Sequence, residues 1–479
     1  MSISSVPAMP PPLLRSGAST WIATLVACVC AFMVVVDGAI VNVALPAMRD
    51  DLGLSPVQLQ WVVDIYLLSL GGFMLLAARA SDIYGRRRLL LWGLMLFTGA
   101  SLAGGFATSG TMLLASRAVQ GLGASVLATS PLAIIVAAHP KGSGQERAIG
   151  LWAACAAMGS AFGVVIGGLL TSLATWRWVM FVNIPVGIVL AAVVAGCLRP
   201  QLTNDARAKL DVLGASTVTL ALASFLYAIS QSVHAGWTSR TVLSALATAL
   251  IMFVAFLAAE RRSAQPLINF EIFRLRNVTI GMAMVLSLGA VLTVSMFFLS
   301  QALQRIDGRS PLDTGLALLP MASALAIASI ASRYLRDAGF DKLPFVGSLV
   351  SAVGLIWLNR LPVHPLQVSE FLLPTLLVGA GNGFVMMSAT QAVLAGVPRK
   401  DSGLAAGLLN TARQLGGAVG IAVLGAVAHS VMTAQLAAGQ LPQAAELAGY
   451  RFAFLTAGIV SVVSAFASLM LKHAPASKE

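Results

Sequence analysis

Met33-Val-Val-Val-Asp37-Gly-Ala-Ile-Val-Asn42-Val-Ala-Leu-Pro46 decides how this chain is read. The stretch closes the first long apolar run, 20–45, and sets one carboxylate in surroundings that are otherwise hydrocarbon. A charge near the centre of a membrane helix costs several kcal/mol, so such residues are rare and mark ion or substrate paths. Runs of about 20 apolar residues, enough to span a bilayer, recur from there to the end of the chain. Of its 479 residues, 58% are apolar and 10% charged, against roughly 45–50% and 25% in soluble domains. An all-α polytopic membrane protein is predicted.

The runs fall at 20–45, 56–78, 89–107, 112–138, 148–173, 179–198, 212–230, 242–259, 278–303, 315–332, 343–358, 371–393, 404–428 and 452–471, fourteen spans in all. Loop charge tests this count independently. With the N-terminus inside, 21 of the 30 basic residues fall in cytoplasmic segments and 7 in outer loops. That is the bias of the positive-inside rule, and one missed span would scramble it. Both termini are therefore expected in the cytoplasm, with the protein in the bacterial cytoplasmic (inner) membrane. Two longer polar stretches, 199–211 and 260–277, flank spans seven and eight. They divide the chain into a six-helix bundle at 20–198, a linker with two additional helices at 199–277, and a second six-helix bundle at 278–472. Six plus six is the internal-repeat plan of a rocking secondary transporter.

Other classes fit poorly. The net charge of +12 is scattered through short loops without a dense tract, so no nucleic-acid partner is expected. Cys28, Cys30, Cys155 and Cys197 all lie in apolar runs without metal-ligand partners or a disulfide pattern, so no metal and no cofactor are expected. The first apolar run lacks a small-residue cleavage site and reads as a retained span. The absence of Gly-x-x-x-x-Gly-Lys-(Ser/Thr) excludes an ATP-driven pump on this chain. An intramembrane protease is the enzyme alternative, through an Asp37/Asp64 pair or through Ser125. The five histidines lie in loops or at span ends, and fourteen spans exceed what such a protease needs, so no enzyme is expected.

Of 18 acids, only Asp37 and Asp64 lie within the spans, and of 30 bases only Arg117 and Arg413. Counted along their helices at about 1.5 Å per residue, Asp37, Asp64 and Arg117 sit roughly 9–12 Å below the outer surface. A cluster follows as the expectation. Burial disfavours a charged carboxylate and a nearby Arg favours it, so a site whose Arg moves can bind and release a proton. The plainer reading is a fixed ion pair that glues helices together. For Arg413, structural and functional readings both stand.

Together with the first-helix motif Asp37–Pro46, the stretches Ala78–Arg88, Arg117–Gly121 and Gly159–Gly168 resemble the signatures of a known family, the fourteen-helix drug:proton antiporters of the major facilitator superfamily. Asp37-Gly-Ala-Ile-Val-Asn42-Val-Ala-Leu-Pro46 is similar to its first-helix signature. Ala78-Arg-Ala-Ser-Asp82-Ile-Tyr-Gly85-Arg86-Arg87-Arg88 is similar to its loop signature between spans two and three, with Ala78 and Ile83 where Gly and Arg are usual. Arg117-Ala-Val-Gln120-Gly121 resembles the fourth-helix signature tied to proton coupling. Gly159-Ser-Ala-Phe-Gly163-Val164-Val-Ile-Gly167-Gly168 resembles the antiporter signature, with Val164 in place of Pro. The resemblance implies a major facilitator fold and a monomeric, proton-coupled exporter of hydrophobic, often cationic drugs, working by alternating access in the lipid bilayer. Carriage of one specific metabolite, outward or inward, is the alternative. It implies proton coupling at Asp37, Asp64 and Arg117, and gating at Asp82, Gly85, Arg86, Arg87 and Arg88. Asn42, Gln120, Gly121, Gly163, Gly167, Gly168 and Arg413 are then substrate or helix-packing positions.

Overall fold

The computed structural model describes residues 20–139, 143–199, 211–262, 273–363, 367–395 and 402–471. Its helices are α1 (Thr20–Leu52), α2 (Pro56–Tyr84), α3 (Arg86–Gly105), α4 (Gly110–Ala138), α5 (Ser143–Leu173), α6 (Arg177–Phe181), α7 (Asn183–Cys197) and α8 (Val212–Ala235). They continue as α9 (Arg240–Arg262), α10 (Arg276–Gln301), α11 (Pro311–Asp337), α12 (Leu343–Leu358), α13 (Val368–Ala395), α14 (Ser402–Ala437) and α15 (Pro442–Ser468). Twelve of the described segments are long and apolar enough to cross a membrane, α6 and α7 counting as one. Shorter apolar helices lie at Phe162–Leu173, within α5, and at Leu343–Leu358, an arrangement consistent with the fourteen spans expected from sequence. The protein is an all-α integral membrane protein with both ends of the described chain at one end of the bundle. We call this the termini end and its opposite the far end.

Local chemistry sets the joints. Ser55 caps α2 through a reciprocal capping box with Gln58, and Pro56 fills the first helical position, where a missing N–H costs nothing. At the start of α11 the Ser310 side chain accepts from the Asp313 amide and Pro311 fills the first helical position, without the reciprocal bond. A single residue, Gly85, joins α2 to α3 at φ 89°, a backbone conformation that a side chain disfavours. Span six differs from its expected single run, being broken at Val182 between α6 and α7. Pro185 has no N–H to return to the carbonyl of Phe181, which lets the helix part there.

Pro46 acts on α1 differently. The helix continues through it to Leu52, yet the carbonyl of Asn42, four residues back, loses its helical donor. That oxygen accepts instead from the Ser300 hydroxyl on α10, at 2.9 Å. One residue on, Gln304 donates to the Val43 carbonyl at 2.9 Å from the π-helical turn Ala302–Ile306 that extends α10. The first and last six crossings are thereby latched at the far end. A second contact lies beside the latch. A Cβ on Gly168 of α5 would fall onto the Pro311 carbonyl, and one on Gly315 of α11 onto the Val164 carbonyl. Ser172 also accepts from the Leu312 amide at 3.1 Å.

The other seam joins α2 to α14. Gln60 lies against Gly425, Leu67 against Gly417 and Gly71 against Gln414, an antiparallel register running the length of both helices. Of α8 and α9, the former packs on α2 and α14, and Thr219 sits against Gly72. By contrast α9 packs on α8 and leaves most of its surface exposed, as suits a helix facing lipid.

A side chain at Gly168 should force the far end apart. Overpacking costs about 1–3 kcal/mol, enough to move a two-state equilibrium roughly tenfold. Thr314, fully buried here, offers the readout as Thr314→Cys in a cysteine-free background. With Gly168→Val added, a membrane-impermeant maleimide should label Cys at 314 about tenfold faster; an unchanged rate would show that this contact does not hold the far end closed.

Candidate functional site

Asp37 sits where α1 meets α4 and α7, 0% exposed, with Arg117 at 1%. Arg117 Nη1 donates to Asp37 Oδ2 at 2.7 Å and to Gln120 Oε1 at 2.6 Å. Gln120 Nε2 donates to Asp37 Oδ1 at 2.7 Å and to Ser101 Oγ at 2.8 Å. Asn183 Nδ2 adds a third donor to Asp37, on Oδ1 at 2.9 Å. Arg117 also donates from Nε to the Val62 carbonyl at 3.2 Å and lies over the Tyr66 ring, 4.0 Å from its centroid. Tyr66 in turn donates to the Val34 carbonyl at 3.3 Å. Two of the three donors turned on the carboxylate, Arg117 and Gln120, are themselves held by further contacts. Such a site keeps a buried charge only as a fully connected network.

The backbone makes this closeness possible. A Cβ on Gly121 would stand 2.5 Å from the Tyr66 carbonyl, so α4 lies directly on α2. Gly163 and Gly167 bring α5 onto α1, where added Cβ atoms would stand 2.7 Å from Ala39 Cβ and from the Ile40 carbonyl. Asn42 donates to the Gly38 carbonyl at 2.8 Å, one turn back on its own helix. The expected packing positions thus divide, Gly121, Gly163 and Gly167 lying within the first half and Gly168 between the halves.

Asp64 is not brought into this cluster. Val62 and Tyr66 face Arg117, whereas Asp64, two residues from each, points about 200° away from them around α2. It shares a face with Gln60, Leu67 and Gly71, the residues that meet α14. Its carboxyl is 1% exposed, and both oxygens lack a hydrogen-bond partner among the described residues. The two intramembrane carboxyls therefore occupy opposite kinds of site. Arg413 approaches from the second half, donating to Asn410 at 3.2 Å and lying within electrostatic range of Tyr66.

At the termini end, Arg87 donates to the Ala195 carbonyl at 2.9 Å, placing a cation on the last turn of α7, where the helix dipole favours it. Arg86 is half-buried and Arg88 exposed. The side chain of Asp82 lies outside the described residues.

Asn183, Ser101 and Tyr66 escaped the sequence reading. A lone Asn two residues before Pro185 in an apolar run was the available signal, since a helix break turns a polar side chain inward.

Helices of this number and order, with a satisfied ion pair buried in one half, define a polytopic membrane transporter. The chain belongs to the Major Facilitator Superfamily, whose family model matches residues 27–421. It is 36% identical over 406 residues to a cephamycin export protein of Amycolatopsis lactamdurans, covering 84% of each chain. It is 36% identical over 424 residues to a puromycin resistance protein of Streptomyces alboniger, covering 87% of this chain and 83% of that one. Among solved structures it resembles an auto-inhibited POT family peptide transporter, with TM-score 0.69 at 15% identity over 96% of this chain and 98% of that one. A D-xylose–proton symporter matches with TM-score 0.66 at 13% identity, over 96% and 99%. These two likenesses speak for the fold.

The network predicts strong coupling between Asp37 and Arg117. Arg117→Met alone strands a buried carboxylate, which costs about 3–5 kcal/mol when a buried pair is broken, and Asp37→Asn alone weakens what holds the guanidinium. In a double-mutant cycle on purified protein, unfolding should reveal a coupling of about 0.5–3 kcal/mol. Additive losses would mean the pair contributes nothing jointly.

Proposed function

We propose that this chain is a proton-coupled exporter of hydrophobic, often cationic drugs or other toxic small molecules, working by alternating access. The supporting observation is the knot of Asp37, Arg117, Gln120 and Asn183, buried in a chain whose relatives are named for export of and resistance to antibiotics. The loop-charge bias supports cytoplasmic termini in a bacterial inner membrane, so the far end is the outer end. In this reading the chain acts as a monomer, with bundles at 20–198 and 278–472 rocking about the site and residues 199–277 carried between them. Asp82, Gly85 and Arg86–Arg88 form the cytoplasmic gate, with Arg87 already on the end of α7.

The two carboxyls take different parts. Asp37, tied to three donors, is the charge that the first half keeps at the site, and its protonation frees Arg117, Gln120 and Asn183 together. Asp64 lies in the α2–α14 seam, where an ionised carboxylate without a partner is costly. The seam therefore closes around Asp64 with its proton on, and parting of α2 from α14 hydrates it. Asp64 loads outside, the outer end shuts, and the proton leaves inside as drug is taken up. Arg413, reaching Tyr66 from the other half, links the two sites.

Asp37→Asn keeps size and polarity but carries no exchangeable charge. Cells expressing it at wild-type level should lose drug resistance while the protein remains inserted and folded; normal resistance would sink the coupling role. The second half brings no acid into spans ten and thirteen, since Asp313 stays at the helix mouth, hydrogen-bonded to Ser310. Competition assays should accordingly find no strong preference for a bis-cation over its matched mono-cation. Clearly tighter bis-cation binding would count against two carboxyls being the full set.

A further inference from the structure

The α2–α14 seam has a mouth. Where it reaches the far end, Pro56, Val57 and Gln60 of α2, Ser230 of α8, and Gly425, Ala426 and His429 of α14 enclose a cavity of about 10 Å³, close to the least that holds one water. Gln60 and Asp64 are four residues apart on one helix face, so their side chains are neighbours. From the far end inward, the seam thus presents His429, then Gln60, then the partnerless carboxyl of Asp64. We propose that His429 and Gln60 form the outer proton-loading route of this carrier, with His429 collecting the proton and a seam water positioned by Gln60 passing it to Asp64. The inference rests on the reading of Asp64 as a proton carrier and adds the route by which it is filled.

Three features point the same way. Histidine is the side chain whose ordinary titration range spans external pH, and His429 is half-buried at the mouth, within reach of outside water. Gly425 lies beside Gln60, and a Cβ there would land on the Gln60 amide nitrogen, so the bare backbone keeps that amide seated in the seam. The register of α2 on α14 runs through Gln60–Gly425 to Leu67–Gly417, which puts Asp64 on the contact line. When the outer ends part, His429 and Gln60 are wetted before Asp64.

The chemistry balances. The His429 imidazolium gives its N–H proton to the seam water, that water gives one to an Asp64 oxygen, and neutral His429 regains a proton from outside. The cavity wall contributed by α2 is Gln60, Pro56 and Val57, and that from α8 is Ser230. On α15, where Gly449 meets the Ala428 carbonyl, the neighbouring acid Glu446 is held by Arg305 at 2.9 Å and by Tyr450 at 2.6 Å. His234, one turn past Ser230, has its side chain outside the described residues, so it belongs in the test.

The test uses full-length purified protein in detergent, the proton itself as probe, and stopped-flow mixing into mild acid with a pH-indicator dye. Wild-type protein should show a slow uptake phase that Asp64→Asn removes. In His429→Gln that phase should keep its amplitude and slow by about ten- to a hundredfold, in keeping with loss of a positioned proton donor. Gly425→Ala, which leaves the histidine in place but dislodges Gln60, should slow it too. A phase of unchanged rate in both variants overturns the route while leaving Asp64 as carrier, as does slowing by His234→Gln alone. If Asp64→Asn removes no phase, the proton-carrier reading falls and the route with it.

Discussion

An ion pair that cannot be left half-made organises this protein. Asp37 and Arg117 lie together in hydrocarbon, and either one alone there is a net loss of several kcal/mol. The pair is tolerable because Gln120 and Asn183 complete the carboxylate and because Val62 and Tyr66 complete the guanidinium. Those partners come from α2, α4 and α7, so satisfying one charge fixes how four helices meet. The glycines of α4 and α5 are the steric condition for that meeting: Gly121 lets α4 touch the backbone of α2, and Gly163 and Gly167 let α5 touch α1.

The same economy of backbone groups closes the far end. Pro46 deprives the Asn42 carbonyl of its helical partner, and Ser300 from the other half supplies one. The latch is made from a defect that each half would carry alone, so it can open once water replaces the hydroxyl. Gly168 and Gly315 act alongside through shape, letting α5 and α11 meet backbone to backbone. Neither contact depends on a charge, which leaves the charged groups free to respond to protonation in the proposed cycle.

Much of this was legible in the chain. The apolar runs mark the helices, twelve of which are long and apolar enough to cross a membrane, because hydrocarbon allows a bare backbone only as helix. The union of Asp37 with Arg117 was legible too, since two opposite charges at one depth have nowhere else to go. What escaped was azimuth. Asp64 sits at the same depth but around the far side of α2, and depth counting is blind to rotation. The face could have been read from Gly71 and Gly72 two turns on, had their partners on α14 and α8 been known. Asn183 escaped because its inward turn depends on the break at Val182, a tertiary accommodation of Pro185. Pro46 read as the end of a helix and became instead the origin of the contact between Asn42 and Ser300, 258 residues apart.

The separation of the two carboxyls bears on how coupling is built. Were Asp37 and Asp64 in one cluster, protonating either would change the field at the other, and one Arg117 would serve both. Here Arg117 is engaged with Asp37, and Asp64 has no ion-pair or hydrogen-bond partner among the described residues. The first, in the proposed cycle, responds to rearrangement within its own half, the second to whether the halves are apart. In the proposed cycle the α2–α14 seam is stable around a neutral carboxyl and unstable around a charged one, so the proton acts as the key to outer closure with no moving arginine required. Tyr66 stands between the two, its ring under Arg117 and its helix carrying Asp64 two residues earlier. A shift of α2 against α14 must then move the ring beneath the ion pair, which in the proposed cycle ties the loading of one site to the geometry of the other through a single helix.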